Sequence, residues 1–290
     1  MATVLVEFDV TMGEVAEGLA VTADTAYVGF AGTGEVVGVS LPGAQVTPFG
    51  NVPPYGPNEA FLLGLLLDNS DQLYAGLAPF VPTVVGGVYR WPSTGGLAAV
   101  PFAADPAFAF PNGLVFAASG NLLVSDSSGV IHEVTPLGVV SEWLADPLLQ
   151  GVADNCPNAV TPFPIGTNGI VVDGGNVYVA NTNMATIVRI PVMGDGSAGT
   201  PELFAGPDCN TLGGADGLAI RDTDLYVAVN ALNSIAIVST SDGSISELYT
   251  GDPLQSPASV AFGGPDGNLY VTNAAFAPGQ TSGLVEITMP

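Results

Sequence analysis

The sequence predicts an all-β fold, a six-bladed β-propeller with four antiparallel strands per blade and a ring closed by an N-terminal strand completing the last blade. Three observations predict it. A hairpin-like unit recurs six times, with first positions at 17, 63, 112, 168, 216 and 258. The intervals of 46, 49, 56, 48 and 42 residues lie near the spacing of four-stranded propeller blades. Gly and Pro, at 38 and 24 residues, suit a chain with many turns, and no useful helical periodicity competes.

The fullest hairpins are 112–126, 168–181 and 216–230, each an apolar β-branched run, a Gly, Asn or Asp turn, and a second run rich in Val and Tyr or Leu. The other copies are 17–29, 63–76 and 258–273. Third strands are expected at Glu35–Ser40, Gly87–Trp91, Gly129–Val134, Thr186–Ile190, Ser234–Val238 and Gly283–Ile287. Fourth strands are expected at Gln45–Phe49, Ala98–Phe102, Val139–Leu144, Thr200–Phe204 and Ile245–Tyr249. The sixth copy lacks a fourth strand, and Thr3–Phe8, which precedes the first repeat and resembles Ser246–Tyr249 and Pro201–Phe204, supplies it. Closure of this kind leaves no exposed sheet edge. The repeat absorbs nearly all of residues 1–290, so one domain is expected.

Composition excludes several function classes. The formal net charge of −24 arises from 27 acids against three arginines and no lysine. Such a field repels phosphate backbones and anionic lipid, which argues against nucleic-acid and membrane partners. No stretch of about 18 apolar residues suggests a membrane span. Without lysine there is no Schiff base, and Arg90, Arg189 and Arg221 lie within strands, where no phosphate clamp is evident. A serine nucleophile lacks its base, because His132 is the only histidine and falls in a third strand. Gly213-Gly214 precedes a strand and makes a weak phosphate loop. Cys156 and Cys209 fall in loops leading into neighbouring blades on one face, where a disulfide is sterically plausible; the alternative is two free thiols. Pairing favours a secreted or periplasmic protein, and free thiols a cytoplasmic one. Met1-Ala2-Thr3 reads as a cytosolic start or as an initiator added after trimming of a signal peptide.

The residue opening each repeat carries the functional signal. In a propeller, equivalent positions of the innermost strands surround one axis, and here four of six carry side-chain oxygen: Glu17, Asn112, Asn168 and Asp216. Leu63 and Ala258 occupy the other two. Calcium takes about six to eight oxygen ligands, so four side chains leave room for water or substrate. Oxygen-only ligands favour calcium among the divalent cations, although another is possible. The competing reading is that Asn-Gly and Asp-Gly are merely turn formers that a repeat protein repeats. That reading explains the glycines, but neither Glu17 nor the apolar pair.

On these residues the chain resembles the senescence marker protein, gluconolactonase and luciferin-regenerating enzyme group of six-bladed propellers, with paraoxonase-like lactonases more distant. The resemblance rests on Glu17-Gly18, Pro111-Asn112-Gly113, Asn168-Gly169 and Asp216-Gly217, and spans nearly the whole chain. It implies a bound divalent cation, usually calcium, hydrolysis of lactones or related esters, and Asp216 as both ligand and general base. Sugar lactonases of the group often carry arginine two residues before the third-blade Asn; here it is Phe110, which points to an uncharged or apolar lactone or ester as the small-molecule substrate. Tyr55, Phe61, Phe80, Phe108, Phe163 and Phe276 are expected on the same face, and the histidine pair of paraoxonase-like enzymes is missing. Asp126, Asn181, Asn230 and Asn273, placed at the ends of second strands, are candidate substrate-binding or ligand-supporting residues. Two alternatives stand beside the hydrolase: a non-catalytic propeller whose metal stabilises it while loops bind a small molecule or protein, and a strictosidine-synthase-like or lyase-like enzyme.

Overall fold

Alternation of apolar and polar residues along short Val-, Leu- and Tyr-rich runs produces strands almost throughout the computed structural model, which describes residues 1–91, 98–159, 161 and 163–290. After β1 (Ala2–Phe8), the first blade holds β2 (Ala16–Val21), β3 (Thr25–Phe30), β4 (Glu35–Ser40) and β5 (Val46–Asn51). The second holds β6 (Ala60–Leu67), β7 (Leu73–Pro79), β8 (Gly87–Trp91) and β9 (Val100–Ala104). Then come β10 (Pro111–Phe116), β11 (Leu122–Asp126), β12 (Val130–Val134) and β13 (Val140–Ala145). The fourth blade is β14 (Thr167–Asp173), β15 (Asn176–Asn181), β16 (Thr186–Pro191) and β17 (Glu202–Ala205). The fifth is β18 (Ala215–Arg221), β19 (Asp224–Val229), β20 (Ser234–Ser239) and β21 (Ile245–Thr250). In the last, β22 (Pro257–Gly263), β23 (Asn268–Asn273) and β24 (Ser282–Ile287) are completed by β1, which pairs antiparallel with β24.

The fold is a six-bladed β-propeller with four antiparallel strands per blade and, among the described residues, only three short 3-10 turns outside the strands. Third strands lie within a residue of their expected bounds. The fourth strand of blade four starts at Glu202, two residues later than expected. In blade two, Ala98 makes a separate parallel bridge to Asn51, and β9 begins only at Val100.

The strands gather into two compact units. One comprises Met1–Phe108 with Asp252–Pro290 and holds the first, second and last blades. Its core includes Phe30, Leu62, Leu77, Trp91 and Tyr270, all essentially without solvent exposure. The other unit, Ala109–Gly251, holds the three remaining blades around Leu123, Val179, Ile187, Val227 and Ile235. In both units the second strand is buried along nearly its whole length, while fourth strands such as β13 and β21 expose polar residues to solvent.

Two of the three arginines serve the blades. Arg90 lies 4.8 Å from the Phe102 ring centroid, and Arg189 lies 4.6 Å from that of Phe204. In each case a tyrosine on the second strand, Tyr74 or Tyr178, meets the same phenylalanine edge-on at 5.4 Å. Each guanidinium thus covers apolar surface by cation–π contact at a blade's outer strands.

Every first strand breaks register where its repeat opens. The breaks fall between Ala16 and Gly18, Leu62 and Leu65, Pro111 and Leu114, Thr167 and Ile170, Ala215 and Leu218, and Pro257 and Val260. Each is a β-bulge, in which one extra residue bends the strand and re-aims a side chain. The Asn-Gly and Asp-Gly dipeptides are therefore bulges within strands, not turns, and Gly18, Gly113, Gly169 and Gly217 are not in the left-handed region.

Packing explains the glycines. A Cβ on Gly18 would lie 2.2 Å from the Leu63 carbonyl oxygen, one on Gly113 would lie 2.5 Å from that of Asn168, and one on Gly169 would lie 2.4 Å from that of Asp216. Each glycine lets a blade press its backbone onto the opening residue of the next. Gly169→Ala should therefore lose about 1–3 kcal/mol of stability in urea denaturation, the usual cost of overpacking. Gly194→Ala, where a Cβ would meet nothing within 4 Å, should stay near wild type.

Candidate metal centre

Three of the four expected ligands belong to the 109–251 unit, and the structure connects them. Asn112, Asn168 and Asp216 occupy the bulges of β10, β14 and β18 and are 6%, 5% and 4% exposed. Burial without partners would be costly for such polar groups, and each has one. Asn112 Nδ2 donates to Ser127 Oγ at 3.4 Å, and Asn168 Nδ2 donates to Thr182 Oγ1 at 3.0 Å. Asp216 Oδ2 accepts from Asn230 Nδ2 at 3.0 Å, and the Asn168 side chain also hydrogen-bonds Asp216. Ser125 Oγ donates to the Asn168 carbonyl, which links the third and fourth blades beneath the side chains. In the other unit Glu17 is 5% exposed in the β2 bulge, and its carbonyl accepts from Thr272 Oγ1 at 2.9 Å.

Burial pushes the Asp216 carboxyl up to about 7, while hydrogen bonds from Asn230 and Asn168 pull the other way. Desolvation dominates because the group lies inside the protein. A divalent cation is the partner that would favour its charged form, and the donor chemistry fits one: a carboxylate, and two amides whose NH2 groups donate to hydroxyls. Among the described residues no group of three or more His, Cys, Asp and Glu side chains gathers, so amide oxygens would have to supply much of any metal shell.

The remaining candidates divide by their hydrogen bonds. Asp126 Oδ2 accepts from the backbone N–H groups of Ala109 and Phe110, both at 2.8 Å, and Oδ1 accepts from Ser128 at 3.0 Å. His132, buried in β12, lies 4.0 Å from the same carboxylate. Asn181 Nδ2 donates to the carbonyls of Leu148 and Gln150, whereas Asn273 donates through Nδ2 to the Pro253 carbonyl and accepts at Oδ1 from the Gln255 N–H. These three side chains are committed to the backbone of the loops ahead of each blade. Asn230 alone of that group touches a candidate ligand.

Register shows why. Pro111, Thr167 and Ala215 pair with Asp126, Asn181 and Val229, so Asn230 stands one residue beyond, level with Ser127 and Thr182. Ser127 and Thr182 escape a reading of strand ends. A Ser, Thr or Asn lying 14 or 15 residues after each opening position is the signal that finds them.

Loops on this side are firmly held. Cys156 and Cys209 form a disulfide, Cα atoms 5.4 Å apart, tying segment 146–166 to segment 206–214. Asn183, which the sequence does not single out, accepts from Ile165 N–H at 2.6 Å and donates to Thr161 Oγ1 at 2.9 Å. Phe110 and Phe163 meet edge-on at 5.8 Å, Phe163 being 41% exposed. Tyr55 is engaged within its own unit, where its hydroxyl donates to the Ala31 carbonyl at 2.7 Å. Phe61 packs edge-on against Phe80, Phe108 is buried, and Phe276 is exposed.

Residues 152–275 match the model of the SMP-30/gluconolactonase/LRE-like region, a span that includes Asn168 and Asp216. Solved structures with the same fold include a calcium-binding protein, regucalcin, from Agrobacterium tumefaciens, at 18% identity over 100% of this chain and 94% of that one, with a TM-score of 0.69. The chain resembles this family in sequence and in fold. A gluconolactonase from Xanthomonas campestris matches at 16% identity over 100% of this chain and 89% of its own, TM-score 0.69. A luciferin-regenerating enzyme matches at 15% identity over 100% and 96%, again with a TM-score of 0.69. No curated protein sequence matches the chain.

Two measurements check this description. The folded Asp216 carboxyl titrates near 7 rather than at its ordinary 3.8, so it binds its proton more tightly than in the unfolded chain. Its contribution to stability is then complete below about pH 4 and is lost as pH rises through about 7. In chelator-treated protein, the stability of wild type relative to Asp216→Asn should fall between pH 4 and 8, as followed by urea denaturation. Separately, Cys209→Ser opens a loop with 53 residues of separation and should cost about 4 kcal/mol on the chain-entropy account, read by the same method.

Proposed function

We propose that the chain is a divalent-cation-dependent hydrolase of lactones or related esters, with calcium as the cation and Asn112, Asn168 and Asp216 among its ligands. The repeat register of the sequence adds Glu17 to that set. The observation that carries the reading is the buried trio itself: side-chain oxygens at the openings of three consecutive blades, with their other polar atoms engaged. A bound cation supplies Lewis acidity toward a carbonyl oxygen.

In this reading Asp216, held through Oδ2 by Asn230, accepts a proton from the attacking water. The water oxygen bonds to the acyl carbon, the ring or ester C–O bond breaks, and the proton passes to the departing oxygen. Phe110 and Phe163 offer apolar surface within the trio's own unit. Two arginines are engaged on phenylalanine rings and the net charge is −24, which together disfavour an anionic substrate. The likeness to gluconolactonase and regucalcin structures supports a small-molecule substrate, and the disulfide supports an oxidising compartment. Among the described residues no helix is long and apolar enough to cross a membrane.

A panel of aliphatic lactones and aryl esters, assayed with calcium and with chelator, tests the proposal. Turnover should require the cation, favour uncharged apolar acyl groups, and fall at least about 100-fold in Asp216→Asn. Calcium binding without turnover of any panel member would point instead to a cation that only holds the blades together. Full turnover by the calcium-loaded Asp216→Asn variant would remove the general-base role.

A further inference from the structure

Amides and carboxylates place opposite demands on whatever holds them beside a cation. An asparagine can ligate only through Oδ1, and its two ends are nearly alike in size, so its orientation is set by where the NH2 group donates. A carboxylate only accepts, so a donor must hold it. The position one residue past each second strand meets these demands in turn. Beside Asn112 and Asn168 it is a hydroxyl, Ser127 or Thr182, which accepts from Nδ2. Beside Asp216 it is the amide of Asn230, which donates to Oδ2.

The hydroxyls can accept because their own protons are placed elsewhere. Ser127 Oγ donates to the Thr167 carbonyl, and Thr182 Oγ1 to the Ala215 carbonyl, each at 2.7 Å. Those carbonyls immediately precede Asn168 and Asp216. Both hydroxyls are buried, at 3% and 2% exposure, so water competes little for them. Hydrogen bonding thus runs one way, from amide to hydroxyl to carbonyl, and each hydroxyl both orients one ligand and fixes the backbone of the next. In the other unit the same register position carries Ala31, Ala78 and Ala274, the first of them in the blade that opens with Glu17, so polar positioning of the opening residue from this position is confined to the 109–251 unit.

We propose that Ser127, Thr182 and Asn230 are positioning residues for a divalent cation, turning the oxygens of Asn112, Asn168 and Asp216 toward it. The inference rests on the cation-binding part of the function proposed above and not on hydrolysis. Its test is a calorimetric titration of chelator-stripped full-length protein with calcium, accompanied by thermal unfolding in chelator. Thr182→Val removes the hydroxyl at nearly constant volume, Thr182→Ser restores it, and Asn230→Asp replaces the donor by an acceptor of the same size. Thr182→Val and Asn230→Asp should weaken calcium binding about 10- to 100-fold, with Thr182→Ser within about 3-fold of wild type.

A merely structural role would lower unfolding temperatures in chelator and leave calcium affinity unchanged, which overturns the proposal. So would a Thr182→Ser loss as large as that of Thr182→Val, since the methyl group and not the hydroxyl would then matter. Wild-type protein that binds no calcium at saturation overturns both this inference and the cation reading. Weakened binding in the variants alongside a wild type that hydrolyses nothing supports the positioning role and removes the hydrolase alone.

Discussion

One extra residue in each first strand is the constraint on which the rest depends. The bulge bends the strand where the repeat opens, so the opening side chain leaves the alternation of the pleat and the following glycine meets the neighbouring blade. Blade contact and presentation of the candidate ligands are therefore a single geometric event. Gly113 against the Asn168 carbonyl and Gly169 against the Asp216 carbonyl put the backbone of one candidate ligand in contact with the blade that carries the previous one. A methyl group at either glycine would separate the blades and the candidate ligands together.

That coupling also accounts for the polar chemistry within the 109–251 unit. Buried amides and a buried carboxylate are expensive unless every polar end is answered. The answer is distributed over consecutive blades: Ser127 and Thr182 take amide protons from one and return hydroxyl protons to the next, and Asn230 ends the series at Asp216. Meanwhile Asp126, Asn181 and Asn183 clamp the loops ahead of the blades, and the Cys156–Cys209 disulfide joins two of these loops. The site is thus carried on strands whose flanking loops are tied by side chain and covalent bond.

Much of the fold was legible because period is a robust signal. Six openings, alternating apolar runs and a spare N-terminal strand suffice for six blades, and the boundaries that moved did so by only a few residues. The residues opening the repeats were equally readable, since oxygen at four positions and Leu63 or Ala258 at two is a pattern in composition. What lay beyond the sequence was register. A bulge of one residue cannot be seen in a string of apolar letters, so Asn230 was grouped with Asp126 and Asn181 when it belongs with Ser127 and Thr182. The glycines were likewise ambiguous between turn and close approach, because only the neighbouring blade's carbonyl distinguishes them.

The central claim, that Asn112, Asn168 and Asp216 present oxygens to one divalent cation, is tested most directly by long-wavelength anomalous diffraction from crystals grown with calcium. The account predicts a single strong anomalous peak about 2.3–2.6 Å from Asn112 Oδ1, Asn168 Oδ1 and an Asp216 carboxylate oxygen, the usual calcium–oxygen distance. No peak at that position, or a peak bounded by other residues while these three side chains keep only one another and their present partners, would contradict it.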